Sequence, residues 1–172
     1  QKWDFISFKK SNLIFLNKAN IIINCVGKTD NYFGNLNDIN VIFLDKLLNH
    51  INKKKLRVRL IHLSSIAVYG NGKNFLGQNK IIYENSLTME DDLYSKSKLQ
   101  ADLLIKNVIK KKLNKNFSYT ILRISNVFSE REKSNLLKFV IFTLKSGFWI
   151  KSSNDIIFNF VNVKDVVQAI IL

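Results

Sequence analysis

Apolar residues along this chain fall into two patterns, short β-branched runs and longer stretches spaced three or four residues apart. Ile21 to Val26 is a near-continuous apolar run closed by Gly27, which predicts a buried strand followed by a turn. The polar stretch from Lys28 to Asn37, around Gly34, predicts a loop. From about Asn37, residues Ile39, Ile42, Phe43, Leu47 and Ile51 recur at helical spacing. Leu60 to Leu63 predicts a second buried strand ended by Ser64 and Ser65, and Asn71 to Asn79 a glycine-containing loop. Asp91 or Asp92 can cap a helix that carries Tyr94, Lys98, Ala101, Ile105 and Val108 on one face, flanked by Leu99, Leu103 and Leu104. Tyr119 to Ile124 is a third strand. Ser134 opens a helix through Leu137, Val140, Ile141 and Leu144, which Gly147 stops. Phe148 to Lys151 and Ile156 to Val161 read as strands, and a last helix begins near Asp165. At the start, Trp3 to Phe5 reads as a strand end and Phe8 to Leu16 as a short helix.

Strands alternating with helices of this length mean βαβ units and a mostly parallel sheet with right-handed crossovers. Ligands of such sheets bind outside the carboxyl ends of the strands. Three ends are expected to converge there: Gly27 with its loop, Ser65 and Asn126. The helix that starts at Tyr94 follows a strand and a loop, so its N-terminus points to the same edge.

Composition narrows the function classes. The 172 residues allow one domain of ordinary size, and 47% hydrophobic residues can fill its core. No apolar run approaches the roughly 18 residues that span a bilayer, and the start shows no signal-peptide pattern. The single Cys25 forbids an internal disulfide, which fits a reducing cytoplasm. Its apolar neighbours predict a buried, inert thiol. Two histidines and one cysteine, far apart, give no metal-ligand spacing. The net charge of +14 points to an anionic partner or to a solvated lysine-rich face. Its lysine clusters, Lys53 to Lys55 and Lys110 to Lys112, lie near the ends of separate predicted helices. The first residue is Gln1 rather than methionine and Leu172 lies inside a helical pattern, which reads as a piece of a longer protein.

The chemistry centres on Tyr94-Ser95-Lys96-Ser97-Lys98. Positions four apart share a helix face, so Lys98 sits beside Tyr94. A cation there stabilises a phenolate and lowers a pKa that is ordinarily about 10, which makes a tyrosine a usable acid or base near neutral pH. An ordinary amphipathic helix also accounts for the pair. Ser64 and Ser65 equally terminate a strand, Tyr69-Gly70 fits an ordinary turn, and Asn126 fits a loop residue bonding its own backbone. His62 alternates with apolar neighbours and reads as core. Arg123, inside a strand, reads as a satisfied structural arginine without an assigned role.

Taken in order, Ser64-Ser65-Ile66-Ala67-Val68-Tyr69-Gly70, the Tyr94–Lys98 stretch, Leu122-Arg123-Ile124-Ser125-Asn126-Val127 and Phe160-Val161-Asn162-Val163-Lys164-Asp165-Val166 resemble one family. It is the extended short-chain dehydrogenase/reductase family, the NAD-dependent epimerases and dehydratases of nucleotide sugars. The strand ending at Gly27 and Asn40 on the next helix match that family's fourth strand and its structural asparagine. The resemblance covers nearly the whole chain. It implies an α/β, Rossmann-like, mostly parallel sheet with helices on both faces, truncated at its N-terminus. Residues 1–172 would form one partial NAD(P)-binding domain, with 148–172 the start of the substrate-binding region.

By the same resemblance, Ser65 hydrogen-bonds the reacting hydroxyl, Tyr94 is the general acid or base, and Lys98 tunes Tyr94 and holds the nicotinamide ribose. Val26 and Gly27 line the cofactor, Asn40 supports that site, and Asn126 contacts the substrate. The implied cofactor is NAD or NADP and the implied partner a nucleotide sugar. Neither a nucleic acid nor a membrane is expected, and a homodimer is left open. Four departures stand out. No glycine-rich dinucleotide fingerprint occurs, so these residues alone should bind NAD poorly. Phe128-Ser129 stands where the family usually has a glycine, Phe158-Asn159 stands where it commonly has Arg-Asp, and the C-terminal part is incomplete. A non-catalytic Rossmann-like nucleotide-binding or regulatory protein is the alternative. Nucleic-acid binding is a third class, motivated by charge alone.

Overall fold

Parallel β-strands followed by amphipathic helices organise the chain, as the alternating periodicities require. The computed structural model describes residues 13–29, 35–70, 81–111, 113–129, 135–147 and 159–172. The expected strand at Trp3 to Phe5 and the loop at Asn71 to Asn79 lie outside the described residues, as does most of the expected helix from Phe8. A 3₁₀ turn spans Ile14–Lys18. The chain divides into two compact units, Gln1–Arg123 and Ile124–Leu172.

In the first unit a three-stranded sheet has the order β1-β2-β3, with β1 Ile21–Asn24, β2 Val58–Ser65 and β3 Phe117–Ile124. β1 and β2 run parallel, with Ile21 opposite Arg59 and Asn24 opposite His62. β1 stops two residues short of the expected Val26, and its residues alternate between exposed and buried. Ile22 and Asn24 therefore face inward, while Cys25 has the outward parity and is exposed, not the buried thiol expected.

Helix α1, Phe43–Lys53, follows a π turn at Asp38–Ile42. Its buried stripe runs through Leu36, Asn40, Leu44, Leu47, Leu48 and Ile51, while Ile42 is exposed. The expected stripe through Ile39 and Ile42 is offset because a polar residue, Asn40, holds the buried position. Helix α2, Leu93–Lys110, buries Ser95, Ser97, Lys98, Leu99, Ala101, Asp102, Ile105 and Val108. Leu103, expected to flank that face, is exposed. Leu44, Leu47, Leu48, Ile51, Leu60, Ala101, Ile105 and Phe117 make the main core between these helices and the sheet.

In the second unit β4, Asn126–Phe128, pairs in parallel with β5, Phe160–Asn162. Helix α3, Asn135–Ser146, ends at Gly147, whose φ of 67° is the left-handed C-cap that the sequence predicted. Ile141 and Leu144 on its expected apolar face are exposed. Helix α4, Val163–Ile171, starts two residues before Asp165 because the Asn162 side chain accepts from the Lys164 amide at 2.9 Å and so caps it.

Candidate active site

The parallel pairing of β1 and β2 puts their carboxyl ends side by side, and α2 closes over them. Asp92 opens α2 with a capping box. Its carboxylate accepts from the Ser95 amide at 2.6 Å, and Ser95 Oγ accepts from the Asp92 amide at 3.0 Å. Tyr94 therefore projects from a fixed first turn, half-buried. One turn later Lys98 is only 6% exposed and its Nζ donates to the Leu63 carbonyl at 3.0 Å. That ammonium stands 5.9 Å from the centre of the Tyr94 ring. Burial lowers the Lys98 pKa, while the negative charges of Asp102 and the Cys25 thiolate form pull the other way.

Asn40, 2% exposed in the π turn, ties the loop after β1 to α2. Its Oδ1 accepts from the Lys28 amide at 2.8 Å, and its Nδ2 donates to the Lys28 carbonyl at 3.0 Å. The same Nδ2 reaches Ser97 Oγ at 2.8 Å, and that hydroxyl donates to the Tyr94 carbonyl at 2.8 Å. A fully used asparagine in a π turn is a built feature, and such turns are frequent at functional sites. Val26 is held by its amide donating to Asn24 Oδ1 at 3.1 Å. Gly27 is exposed next to it. A Cβ on Gly27 would stand 3.0 Å from Lys98 Nζ and 3.7 Å from Asn40 Oδ1. The bare backbone keeps the space in front of the ammonium open, which fits a ligand lying against the end of β1.

Ser65 ends β2 and its Oγ accepts from the Ala67 amide at 3.2 Å, capping the 3₁₀ turn Ile66–Val68. It lies two residues past the carbonyl that holds Lys98. Val26, Gly27, Asn40, Ser65, Tyr94 and Lys98 are thus on neighbouring strand and helix ends of one unit. Asn126 lies in the second unit, where it opens β4 instead of ending β3, and its Nδ2 donates to the Asn159 carbonyl at 3.2 Å.

Of the polar residues beneath this surface, the sequence pattern placed His62 in the core and did not mark Asn24 or Asp102. His62 is 1% exposed, with Nδ1 3.0 Å from the side-chain Nδ2 of Asn24. Asp102, with no exposed surface, pairs through Oδ2 with Arg123 Nε at 2.9 Å. Burial works against the Arg123 charge, but hydrogen bonds with Tyr69 and Asp102 outweigh it and raise its pKa. The one signal for Asp102 in the sequence was its place one helical turn after Lys98. Among the described residues no group of three or more His, Cys, Asp or Glu could hold a metal ion. Among them, too, no helix is long and apolar enough to cross a membrane.

A family model described as the NAD dependent epimerase/dehydratase family matches residues 9–172. No curated protein matches. Among solved structures, the dTDP-glucose 4,6-dehydratase of Bacillus anthracis in complex with NAD is 21% identical with a TM-score of 0.68, over 88% of this chain and 46% of that one. The UDP-glucuronic acid 4-epimerase of Bacillus cereus, in complex with UDP-glucuronic acid and NAD, is 17% identical with a TM-score of 0.71, over 92% and 50%. RMD from Pseudomonas aeruginosa, complexed with NADPH, is 20% identical with a TM-score of 0.65, over 88% and 54%. At these identities the likeness establishes a Rossmann-like fold. The chain spans about half the length of the solved structures it matches.

Proposed function

The chain belongs to the NAD dependent epimerase/dehydratase family, and from that premise we propose that the whole protein is an NAD(P)-dependent epimerase, dehydratase or reductase of a nucleotide sugar. The observation that carries the reading is the buried Lys98 ammonium 5.9 Å from the Tyr94 ring, beside the bare backbone of Gly27.

Each residue then has a chemical task. Ser65 receives the reacting sugar hydroxyl at the end of β2. Tyr94 takes the proton from that hydroxyl, or returns it, from a first turn that its capping box holds still. Lys98 holds its ammonium 5.9 Å from the Tyr94 ring and offers it to a ribose hydroxyl. Asn40 fixes the Lys28 backbone, so that Val26 and Gly27 present a constant wall to the cofactor. Bound nicotinamide would supply the hydride acceptor or donor, and the protein supplies proton transfer and orientation. Asn126 is assigned to the substrate side, and residues 148–172 to the start of the substrate-binding region.

Spectrophotometric assay of the full-length protein with NAD or NADP and a panel of nucleotide sugars tests this. In Tyr94→Phe, turnover should fall by roughly 100-fold or more while cofactor affinity stays close to wild type. Lys98→Met should lose both rate and cofactor affinity. Undiminished turnover in Tyr94→Phe removes its role in proton transfer. A cofactor-binding protein that turns over none of the panel would instead be the non-catalytic member of the fold.

A further inference from the structure

Arg123 sits on β3, and its guanidinium reaches three other segments of the first unit. Its Nε donates to Asp102 Oδ2 on α2 at 2.9 Å. Its Nη1 donates to the Tyr69 hydroxyl at 2.5 Å and to the Glu84 carbonyl at 3.1 Å. The guanidinium carbon also stands 4.8 Å from the centre of the Tyr69 ring, within cation–π range. Tyr69 ends the turn that begins at Ser65, and Glu84 belongs to the segment leading to Tyr94. Tyr69 and Glu84 lie on either side of residues 71–80, so Arg123 grips both flanking legs, residues 65–70 and 81–92.

The two legs also meet directly. The Met89 amide donates to the Val68 carbonyl at 2.8 Å, and Tyr69 pairs with Met89 in a parallel bridge. Gly70 has φ of 86°, a left-handed conformation that favours glycine, and a Cβ there would stand 2.9 Å from Asp91 Oδ2 and 3.2 Å from Met89 Cβ, so the legs lie close together at this point. Beyond Met89, the Asp91 and Asp92 amides both donate to Ser95 Oγ. Hydrogen bonds thus tie the Ser65 turn to Met89, and the residues two and three further on are tied to the first turn of α2.

We propose that Arg123, anchored by Asp102, is a positioning residue that fixes the Ser65 turn against the Tyr94 end of α2. The idea rests on the functional reading above, in which Ser65 and Tyr94 must meet one hydroxyl. Three properties support it. Asp102 has no exposed surface, so its charge requires a fixed partner and the pair cannot exchange freely with solvent. The arginine fork is rigid, and it serves acceptors in different segments at once. And Ser65 and Tyr94 reside on different elements, so neither α2 nor β2 alone sets the distance between them.

Tyr69→Phe in the full-length protein is the sharpest test, because it keeps the ring and the Asp102–Arg123 pair and removes one acceptor. Arg123→Lys keeps the charge and loses the fork, and Arg123→Met loses both. Amide hydrogen exchange reads the grip without any substrate. In Tyr69→Phe and Arg123→Lys, exchange at Met89 and Tyr69 should quicken by about tenfold while the interior amides of α1 stay protected. In the assay, kcat should fall on the order of tenfold to a hundredfold, with the Kd for NAD unchanged, since none of the hydrogen bonds removed is made by Gly27, Asn40 or Lys98. Arg123→Lys should retain more activity than Arg123→Met. Unchanged exchange in both variants overturns the grip. A kcat close to wild type, or loss of kcat and NAD affinity together with global protection, overturns the positioning role. Absence of turnover in the wild-type protein would count against the enzyme reading itself, while the exchange result would still judge the grip.

Discussion

His62 shows how far one residue's chemistry depends on its neighbours. It lies inside β2, bonded to Asn24 from β1, and the Lys98 ammonium faces it from α2. Burial first, and the Lys98 charge second, push its pKa from 6.5 down to about 3. The folded protein thus keeps His62 neutral at pH values where the unfolded chain is protonated. Above about pH 6.5 both states are neutral and the residue adds nothing to the pH dependence. As the pH falls from 6.5 towards 3, the unfolded state gains a proton that the folded state refuses, and stability is lost at up to roughly 1.4 kcal/mol per pH unit. Urea unfolding of wild type and His62→Gln should therefore diverge on acidification. Wild type is expected to lose about 2 kcal/mol more between pH 6.5 and 4.5. Parallel curves would exclude a buried neutral histidine.

At the scale of elements, α2 carries Tyr94 and Lys98 of the candidate site, and its first turn depends on Asp92. That carboxylate accepts from the Ser95 amide, and Ser95 Oγ answers both the Asp91 and the Asp92 amides. Asp92→Ala should cost about 1 kcal/mol of stability, and Asp92→Asn much less, as read from denaturant midpoints. Equal losses in the two variants would mean that charge at the helix N-terminus, and not the hydrogen bond, is what matters. This helix was legible in the sequence because its cap, its apolar period and its tyrosine and lysine all agree. α1 was legible in extent but not in phase. Asn40 occupies its buried stripe, and a hydropathy pattern cannot mark an asparagine as an inward residue. The same limit hid Ser97, Asp102 and Asn24, the partner of a His62 that its apolar neighbours did place in the core. All are polar groups whose burial is stabilised by partners distant in sequence, such as the 57 residues that separate Asn40 from Ser97.

At the scale of the first unit, the charge is distributed by the same parallel topology that gathers the site. Lys53 and Lys54 end α1, Lys110 and Lys111 end α2, and all four are exposed. The sequence placed these clusters on separate helix ends, yet Lys55 Nζ donates to the Leu113 carbonyl at 2.6 Å and joins the two. The Val58 amide likewise bonds the Asn116 carbonyl at 3.2 Å, so the lysines border the starting edge of β2 and β3. Ser65 ends the eight-residue β2 at the other edge. Eight residues of strand span roughly 25 Å, about three Debye lengths at physiological salt. The lysine edge is therefore too distant to steer an anionic ligand into the candidate site. Lys53→Gln, Lys54→Gln and Lys111→Gln combined in the full-length protein should leave kcat/KM within about twofold of wild type at physiological salt. The same triple variant should elute from a heparin column at lower salt. If kcat/KM for the proposed nucleotide sugar instead fell in step with retention on heparin, the basic edge would be part of how that anion is captured.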